Sequence, residues 1–287
     1  MKRSILSKIY SRVPLIREAQ QIVEFLASYR RDYPMRMAAF TERLLSQPRY
    51  QDARRLQAHE WQMFSQGGED GMLWETLRRV GEGKRRFLEI GVGDGLENNT
   101  SSLLWAGWSG YWIEGSARNV QDITQNVLRQ GMADRLQVQT AFVTAENVAG
   151  IVRDLGVREP EDIDVLSIDI DWNTYWIWRS LGALRPRVVI VEYNAWFPPH
   201  LEWVAPYRPE GVWRSNSYYG ASLKAYEKLG RELGYSLVGA SLTGVNAILV
   251  RSDLCGDRFA APFDAENHYE PARLYLCGRR GYPPVFG

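Results

Sequence analysis

A short apolar run leads directly into a glycine-rich turn at residues 86–95, which read Arg-Phe-Leu-Glu-Ile-Gly-Val-Gly-Asp-Gly. The apolar part of this stretch predicts a buried strand. Three glycines follow it at alternate positions, namely Gly91, Gly93 and Gly95. Because glycine lacks a side chain, the backbone here can bend tightly and approach a ligand closely. The feature predicts a cofactor-binding turn after the first strand of an α/β fold.

A second apolar run, residues 110–114, ends at Glu114, one predicted helix and one predicted strand after the turn. In this order of elements a carboxylate can accept hydrogen bonds from both ribose hydroxyls of an adenosine-containing cofactor. We therefore predict that Glu114 is the ribose ligand. The alternative is a solvent-facing glutamate at a strand end.

The spacing and charge of the turn favour a cofactor without phosphates. A dinucleotide turn has the pattern G-x-G-x-x-G and places a helix N-terminus against the pyrophosphate. Here Gly95 follows Gly93 after one residue, and two acids, Asp94 and Glu97, would repel a pyrophosphate. Both acids suit a cationic ligand. S-adenosyl-L-methionine carries a sulfonium and an ammonium and no phosphate, so we predict it as the cofactor.

The turn together with Glu114 resembles the first two motifs of class I S-adenosylmethionine-dependent methyltransferases. Other segments are similar to a bacterial branch near the FkbM-type methyltransferases: residues 64–71, residues 167–171 with Tyr175 and Trp176, and residues 219–222. The resemblance covers roughly residues 60–255. It implies methyl transfer to a hydroxyl of a sugar, a glycan or a sugar-bearing metabolite, as in polysaccharide biosynthesis.

The resemblance also implies a role for residues before the first strand. Gln66, with Glu69 and Asp70, would close over the methionine moiety of the cofactor, or these residues cap the helix that begins near Met72. The chain departs from the family pattern after Asp171. Trp172 and Thr174 replace the expected glycine and aspartate, which leaves the acceptor and any metal binding open.

Helical and strand patterns alternate from residue 72 onward. The predicted strands are residues 86–91, 110–114, 136–143, 165–170, 188–192, 236–240 and 247–251. This alternation predicts a mostly parallel, seven-stranded sheet covered by helices on both faces, with an antiparallel hairpin at one edge. The expected fold class is therefore α/β, a Rossmann-like class I methyltransferase fold.

Ligands in such sheets gather at the carboxyl ends of the strands. The first strand offers Glu89 as a cofactor ligand besides the glycines. Phe142 and Val143, at the end of the third, are expected to flank the adenine or to lie in the core.

The fourth and fifth strands end in polar side chains: Asp169, Asp171, Glu192 and Asn194. We expect them to form an acidic rim around the acceptor pocket. Asp169, Asp171 and Glu192 could hold Mg²⁺ or another divalent cation, which would lower the pKa of the acceptor hydroxyl. One carboxylate could instead act as a general base, contact the cofactor or cap a helix. We expect Asp169 to be the one that contacts the cofactor. His200 is another candidate base, unless it is a loop histidine without a role.

Aromatic side chains crowd residues 172–219, and aromatic faces beside carboxylates and amides suit a carbohydrate. The candidate substrate-binding residues are Asn194, Trp196, Tyr219 and Ser222. The proline-rich stretch 198–211 is predicted to be an active-site loop.

The N-terminal part of the chain differs in charge from the rest. Residues 1–57 contain 12 Lys and Arg against 5 Asp and Glu, whereas the whole chain has a net charge of +1. Helical spacing predicts two or three helices, broken near Pro34. We expect a basic helical extension, residues 1–57, and a methyltransferase domain, residues 58–287. The extension could cover the active site, mediate homo-oligomer contacts, contact an acidic partner, or simply pack on the catalytic domain with a solvated face. Without a recognition motif, we do not expect nucleic-acid binding.

Composition agrees with a globular enzyme, since 45% of residues are hydrophobic and 24% are charged. We expect no secretory signal in residues 1–8, no transmembrane segment and a cytoplasmic location. Two other functions stay open. One is a nucleotide-sugar oxidoreductase or epimerase that uses NAD, and the other is a non-catalytic cofactor-binding protein.

Overall fold

The computed structural model describes residues 14–277. The chain divides into two units, Met1–Gln51 and Asp52–Gly287. The division falls earlier than the predicted boundary after residue 57, because Leu56 is fully buried and Gln57 donates a hydrogen bond to the Ala240 carbonyl in the larger unit. The expectation about a secretory signal concerns residues 1–8, which lie outside the described residues.

The described part of the smaller unit contains α1 (Pro14–Leu45) and a 3₁₀ turn (Pro48–Gln51). The predicted break near Pro34 is wrong, because α1 continues through this proline. A proline inside a helix removes one backbone hydrogen bond and tends to kink the axis. Here helical backbone continues on both sides of Pro34, so α1 is one helix from Pro14 to Leu45.

The larger unit alternates strands and helices, as predicted. Its strands are β1 (Arg86–Ile90), β2 (Ser109–Glu114), β3 (Leu136–Thr140), β4 (Val165–Ile168), β5 (Val188–Glu192), β6 (Tyr235–Ala240) and β7 (Asn246–Arg251). Its α-helices are α2 (Glu69–Val80), α3 (Ser101–Trp105), α4 (Ala117–Asn126), α5 (Val148–Asp154), α6 (Thr174–Ser180), α7 (Leu223–Leu233) and α8 (Ala265–His268). Short 3₁₀ turns lie at Gln57–His59, Leu128–Gln130, Ser252–Leu254 and Leu274–Leu276.

The seven strands form one sheet in the order β3-β2-β1-β4-β5-β7-β6. Strands β1 to β5 are parallel, and β7 is antiparallel to both β5 and β6. The predicted fold class is confirmed: a mostly parallel, seven-stranded sheet with an antiparallel hairpin at one edge. Because β7 runs in the opposite direction, its first residue, Asn246, lies beside Glu192, the last residue of β5.

Apolar clusters cover both faces of the sheet. Side chains alternate between the faces along a strand, so Leu88 and Ile90 join one cluster and Phe87 joins the other. In β5 the run Val188–Val191 is fully buried, as expected for a strand covered on both sides. This packing fixes the strand ends around which the candidate site is built. Within residues 14–277, no helix is both long and apolar enough to span a bilayer.

Candidate functional site

The glycine turn after β1 has two glycines with different tasks. Gly91 has φ +85°, and a Cβ atom there would lie 1.9 Å from the carbonyl oxygen of Asp169. Gly93 has φ +59°, and a Cβ atom there would meet nothing within 4 Å. Gly91 therefore permits close packing against the end of β4, whereas Gly93 leaves open space for a ligand.

The other two predicted residues of the turn, Asp94 and Gly95, contact neighbouring parts of the protein. Asp94 Oδ1 accepts a hydrogen bond from the backbone N–H of Leu96 at 3.1 Å. A Cβ atom on Gly95 would lie 3.1 Å from the side chains of Trp112 and Val127, so Gly95 faces the core behind the turn. These two residues shape the turn, and neither is among the residues that line the cavity described next.

A cavity of about 440 Å³ opens at the carboxyl ends of the strands. Its wall comes from the ends of β1, β2 and β4, from the residues after β3, and from Gly211 and Val212 in a later loop. The volume falls in the range of small-molecule and cofactor sites. Gly91, Gly93, Glu114 and Asp169, all predicted from the sequence, lie in this wall.

Glu114 is held rigidly at the cavity wall. Its Oε2 accepts a hydrogen bond from the backbone N–H of Gly93 at 2.9 Å, and its Oε1 accepts from the N–H of Ser116 at 2.8 Å. The Asn119 side chain also donates to Oε1, at 3.2 Å. Each carboxylate oxygen has two lone pairs, so Oε1 is fully used and Oε2 can accept one further hydrogen bond from a ligand.

Phe142 and Val143 also line this cavity, but they follow β3 and do not belong to it. The predicted strand was too long at this point, because pairing with β2 ends at Thr140. Phe142 is half exposed and Val143 is buried. The chain therefore turns across the cavity after β3 and presents one aromatic face to it.

Glu89 lies beneath the cavity and holds the loop in front of α3. Its Oε1 accepts hydrogen bonds from Asn99 N–H and from the Ser167 hydroxyl. Its Oε2 accepts from Asn98, at 2.9 Å, and from the N–H and hydroxyl of Thr100, at 2.9 and 2.6 Å. Both oxygens are thus occupied by protein donors. We reassign Glu89 from cofactor ligand to positioning residue, because strand alternation points its side chain to the face occupied by Phe87 and away from the cavity.

A smaller cavity of about 150 Å³ adjoins the first and shares Asp169 and Asp171 with it. We call it the acidic cavity. Its lining residues are Gln66, Glu97, Asn98, Asn99, Asp169, Asp171, Glu192 and Asn246. Among these described residues there is no Lys, Arg or His, so the wall offers carboxylates and amides only.

Three carboxylates of the acidic cavity, Asp169, Asp171 and Glu192, have raised pKa values. Burial, together with the negative charge of Asp171 and of further nearby acids, raises the pKa of Asp169 to about 8. Burial and the charges of Asp169 and Asp171 also raise the pKa of Glu192 well above its usual range. Burial raises the pKa of Asp171, which adopts a left-handed conformation with φ +56°. A bound cation would relieve this repulsion.

The predicted metal site does not fit this arrangement. Among the described residues, no group of three His, Cys, Asp or Glu side chains converges closely enough to hold a metal ion.

The loop before α2 brings Gln66 to the acidic cavity, but Asp70 has a structural task. Its Oδ2 accepts hydrogen bonds from the backbone N–H groups of Met63, Phe64 and Ser65, each at 2.8 Å. Glu69 accepts from Gly67 N–H at 2.8 Å and from the Asn246 amide at 3.3 Å. These bonds fix the loop that presents Gln66.

The remaining predicted residues do not meet in one acceptor pocket. Asn194 is fully buried and donates to the carbonyls of Ser217 and Tyr219, at 2.8 and 2.9 Å, so it fixes a loop. Ser222 caps α7 and accepts a hydrogen bond from Trp203 N–H. The hydrogen-bonding groups of these two residues are therefore used within a loop and a helix cap. Both have the small side chains that commonly fix loops and caps.

Three other predicted residues have different surroundings. Trp196 is 61% exposed, and His200 is exposed on the following loop. Tyr219 lies near the acidic cavity. Burial raises the pKa of its hydroxyl, and the negative charges of Glu192, Asp171 and Asp169 raise it further. Of the three, Tyr219 alone is electrostatically coupled to the strand-end carboxylates.

Two tryptophans of the aromatic-rich stretch, Trp172 and Trp176, anchor the loop beside the larger cavity. The indole N–H of Trp172 donates to the Pro206 carbonyl at 3.1 Å, and that of Trp176 donates to Ala205 at 2.9 Å. Gly211 packs on Trp172, because a Cβ atom there would lie 2.3 Å from its ring. The predicted active-site loop is thereby held in place beside the cavity.

Two asparagines that line the cavities were not predicted from the sequence. Asn173 donates to the Arg208 carbonyl at 2.7 Å, and its buried Oδ1 has no hydrogen-bond partner and belongs to a residue of the larger cavity wall. Asn246 is equally buried, with an unpartnered Oδ1, in the acidic cavity. The available signal for Asn246 was its position as a polar residue directly before the apolar run Ala247–Val250 of β7.

Comparison with solved structures finds partial similarity to methyltransferases. An O-methyltransferase from Bacillus cereus in complex with S-adenosylhomocysteine is 23% identical, over 42% of this chain and 55% of its own, with a TM-score of 0.34. Mitomycin 7-O-methyltransferase MmcR is 18% identical, over 63% and 54%, with a TM-score of 0.37. A methyltransferase from Geobacter sulfurreducens in complex with S-adenosyl-L-homocysteine is 16% identical, over 62% and 68%, with a TM-score of 0.38.

The chain thus spans about half the length of the first two of these proteins. No protein-family model matches the chain, and no curated protein does. At such low similarity, the functional assignment rests on the geometry of the site.

Proposed function

We propose that this chain is an S-adenosyl-L-methionine-dependent O-methyltransferase that acts on a hydroxyl of a sugar, a glycan or a sugar-bearing metabolite. One observation carries the proposal. A cofactor-sized cavity, with an open glycine turn and a fixed carboxylate at Glu114, adjoins a cavity walled by acids. An adenosine group would fill the larger cavity, and the cationic chain that follows it would reach Asp169 and Asp171, the two acids that both cavities share.

The larger cavity supplies groups for each part of the adenosine. Glu114 Oε2 would accept a hydrogen bond from a ribose hydroxyl, and Gly93 leaves room for the ribose to approach. Phe142 and Val143 would contact the adenine ring. The unpartnered Oδ1 of Asn173 would accept a hydrogen bond from the adenine amino group. A pyrophosphate has no such match, since Asp169 and Asp171 would repel it, and this disfavours NAD.

Asp169 and Asp171, which line both cavities, would face the positive end of the cofactor, which supplies the methyl group when bound. Asp169, shared by both cavities, is placed to take the proton of the acceptor hydroxyl. Its pKa of about 8 in the free protein lies near neutral pH, where a general base is effective. The protein would hold acceptor oxygen and methyl group in line and exclude water.

The carbohydrate part of the proposal draws on the aromatic residues that stay exposed. Trp196, Trp213 and Tyr218 are each about half exposed or more. Such faces can stack on the C–H surface of a sugar ring, while neighbouring polar groups bind its hydroxyls. The proposal includes no metal, because the donor set does not converge.

The test is transfer of an isotope-labelled methyl group from S-adenosylmethionine to a panel of sugars, nucleotide sugars and glycans. We expect labelled product with the wild-type protein and a loss of at least about 100-fold for Asp169→Asn, the usual range for a general base. Asp154→Asn, which alters an exposed residue of α5, is the matched control and should keep full activity. Equal activity of Asp169→Asn and wild type would contradict the role of Asp169. Binding of NAD but not of S-adenosylhomocysteine would contradict the whole proposal.

A further inference from the structure

The acidic cavity contains two buried acceptor atoms without donors. Glu192 Oε2 and Asn246 Oδ1 are both buried, and neither has a hydrogen-bond partner within the described part of the chain. They belong to neighbouring residues, since Glu192 and Asn246 pair across β5 and β7. Leaving a buried polar group unsatisfied costs about 1–3 kcal/mol, so such atoms indicate a ligand that donates hydrogen bonds.

The orientation of the Asn246 amide supports this interpretation. Its Nδ2 donates to Glu69 Oε1 at 3.3 Å, which leaves Oδ1 as the acceptor beside Glu192. Glu69 is itself fixed by the N–H of Gly67. The Asn246 acceptor atom is therefore held by the protein before any ligand arrives.

The charge of the cavity selects among possible donors. Asp169, Asp171 and Glu192 line it, and none of its described lining residues is Lys, Arg or His. The cofactor of the proposed reaction has a net charge of +1, because its own carboxylate offsets one of its two cationic groups. This single charge does not balance three acids. A hydroxyl group offers one donor and no charge, whereas a primary ammonium offers three donors and a positive charge.

Position in the sheet separates these acceptors from the ribose ligand. Glu114 ends β2, whereas Glu192 and Asn246 belong to β5 and β7, three and four strands away in the order of the sheet. With strands about 4.8 Å apart, these distances are roughly 14 and 19 Å. Glu192 and Asn246 therefore stand on the side of the cavity far from the ribose, beyond Asp169.

We propose that the acidic cavity is a subsite for a primary ammonium group of the acceptor, held by Glu192 and Asn246. The substrate class would then be a hydroxyl compound that also carries an amine, such as an amino sugar. The inference rests on the proposed methyl transfer and names its substrate more closely. The ammonium serves as an anchor, and the hydroxyl remains the group that is methylated.

The test uses ethylammonium as the probe, with the protein saturated with S-adenosylhomocysteine. Binding is followed through the side-chain amide signal of Asn246 in ¹H–¹⁵N spectra, assigned by its loss in Asn246→Leu. We expect a saturable shift with ethylammonium and none with ethanol or with sodium chloride at equal ionic strength. A shift that ethanol or sodium chloride reproduces, or no shift at all, would overturn the proposal.

A second arm separates the acceptor's ammonium from that of the cofactor. If the site belongs to the acceptor, ethylammonium binds the protein with and without S-adenosylhomocysteine, with dissociation constants within about threefold. Abolition of ethylammonium binding by S-adenosylhomocysteine would assign the site to the cofactor and overturn the inference. Failure of S-adenosylhomocysteine to bind would instead count against the proposed function, and the ethylammonium titration of the protein alone would still give its own result.

The variant arm compares two carboxylates. Glu192→Gln should weaken ethylammonium binding at least tenfold, while the affinity for S-adenosylhomocysteine stays within about threefold. Glu232→Gln, which changes an exposed residue of α7, should leave both affinities unchanged. The dispersion of the ¹H–¹⁵N spectra shows whether each variant is folded. Undiminished ethylammonium binding by a folded Glu192→Gln protein would refute the role of this carboxylate.

Discussion

Alanine substitutions at three glycines separate backbone strain, packing and ligand contact in the turn that defines the site. Gly91, Gly93 and Gly131 all have positive φ, at +85°, +59° and +86°. Gly91 and Gly93 belong to the cavity wall, whereas Gly131 follows the 3₁₀ turn Leu128–Gln130 and is exposed. Gly131→Ala is therefore a control for strain alone.

The expected losses of stability follow from what a Cβ atom would meet. A left-handed conformation costs an alanine about 1–2 kcal/mol. At Gly93 and Gly131 nothing lies within 4 Å, so this strain is the whole expected effect. At Gly91 the new atom would lie 1.9 Å from a backbone oxygen of Asp169, which cannot rotate away. Overpacking adds about 1–3 kcal/mol, so Gly91→Ala should lose about 3 kcal/mol or more.

The expected losses of affinity have a different order. A methyl group on Gly93 would stand in the space assigned to the ribose, so we expect Gly93→Ala to bind S-adenosylhomocysteine at least about tenfold more weakly, or about 1.4 kcal/mol. Gly131→Ala should bind it as wild type does. Urea unfolding measures the stabilities, and isothermal titration calorimetry measures the affinities.

Two results would refute this reasoning. Equal affinities of Gly93→Ala and Gly131→Ala would mean that the ligand does not approach the turn. Equal stabilities of Gly91→Ala and Gly131→Ala would mean that Gly91 does not pack against the end of β4.

Other predictions follow from the same geometry. Asp70→Ala removes the acceptor of three backbone N–H groups, so it should lower the free energy of unfolding by about 3 kcal/mol in urea titrations, and Asp70→Asn should lower it less. Because a bound cation favours ionised Asp169, whose pKa is about 8 in the free protein, the affinity for S-adenosylmethionine should rise between pH 6 and 8 and level off above. The slope in calorimetry should be shallower for S-adenosylhomocysteine, which lacks the sulfonium, and equal slopes would contradict this. Dialysis against EDTA should leave methyl transfer unchanged, and activity that returns only with a divalent cation would contradict the metal-free site.

The sheet and the turn were predictable from the sequence because they depend on local patterns. A buried apolar run followed by alternate glycines marks the end of β1, and alternation of helices and strands marks the parallel sheet. The acid at the end of β2 follows from the same order of elements. These features need no knowledge of which distant segments meet.

Polar residues at strand ends were harder to interpret. Glu89, Glu114 and Asn194 all lie at or near the ends of strands, yet Glu114 faces the cavity while the other two fix loops. The difference depends on which face of the sheet each side chain occupies and on which loop passes over it. Asn173 and Asn246 were missed because their partners, Arg208 and Glu69, are remote in sequence. Convergence of this kind becomes visible only in the folded chain.

The most direct test of the central claim is a calorimetric titration of the protein with S-adenosylhomocysteine, with Glu114→Gln as the comparison. We predict one site per chain with a dissociation constant in the micromolar range. The comparison variant should bind at least about tenfold more weakly, because the amide keeps the shape of the side chain but loses the charge-assisted hydrogen bond to the ribose. No binding by the wild-type protein at millimolar ligand, or equal binding by both proteins, would contradict the account.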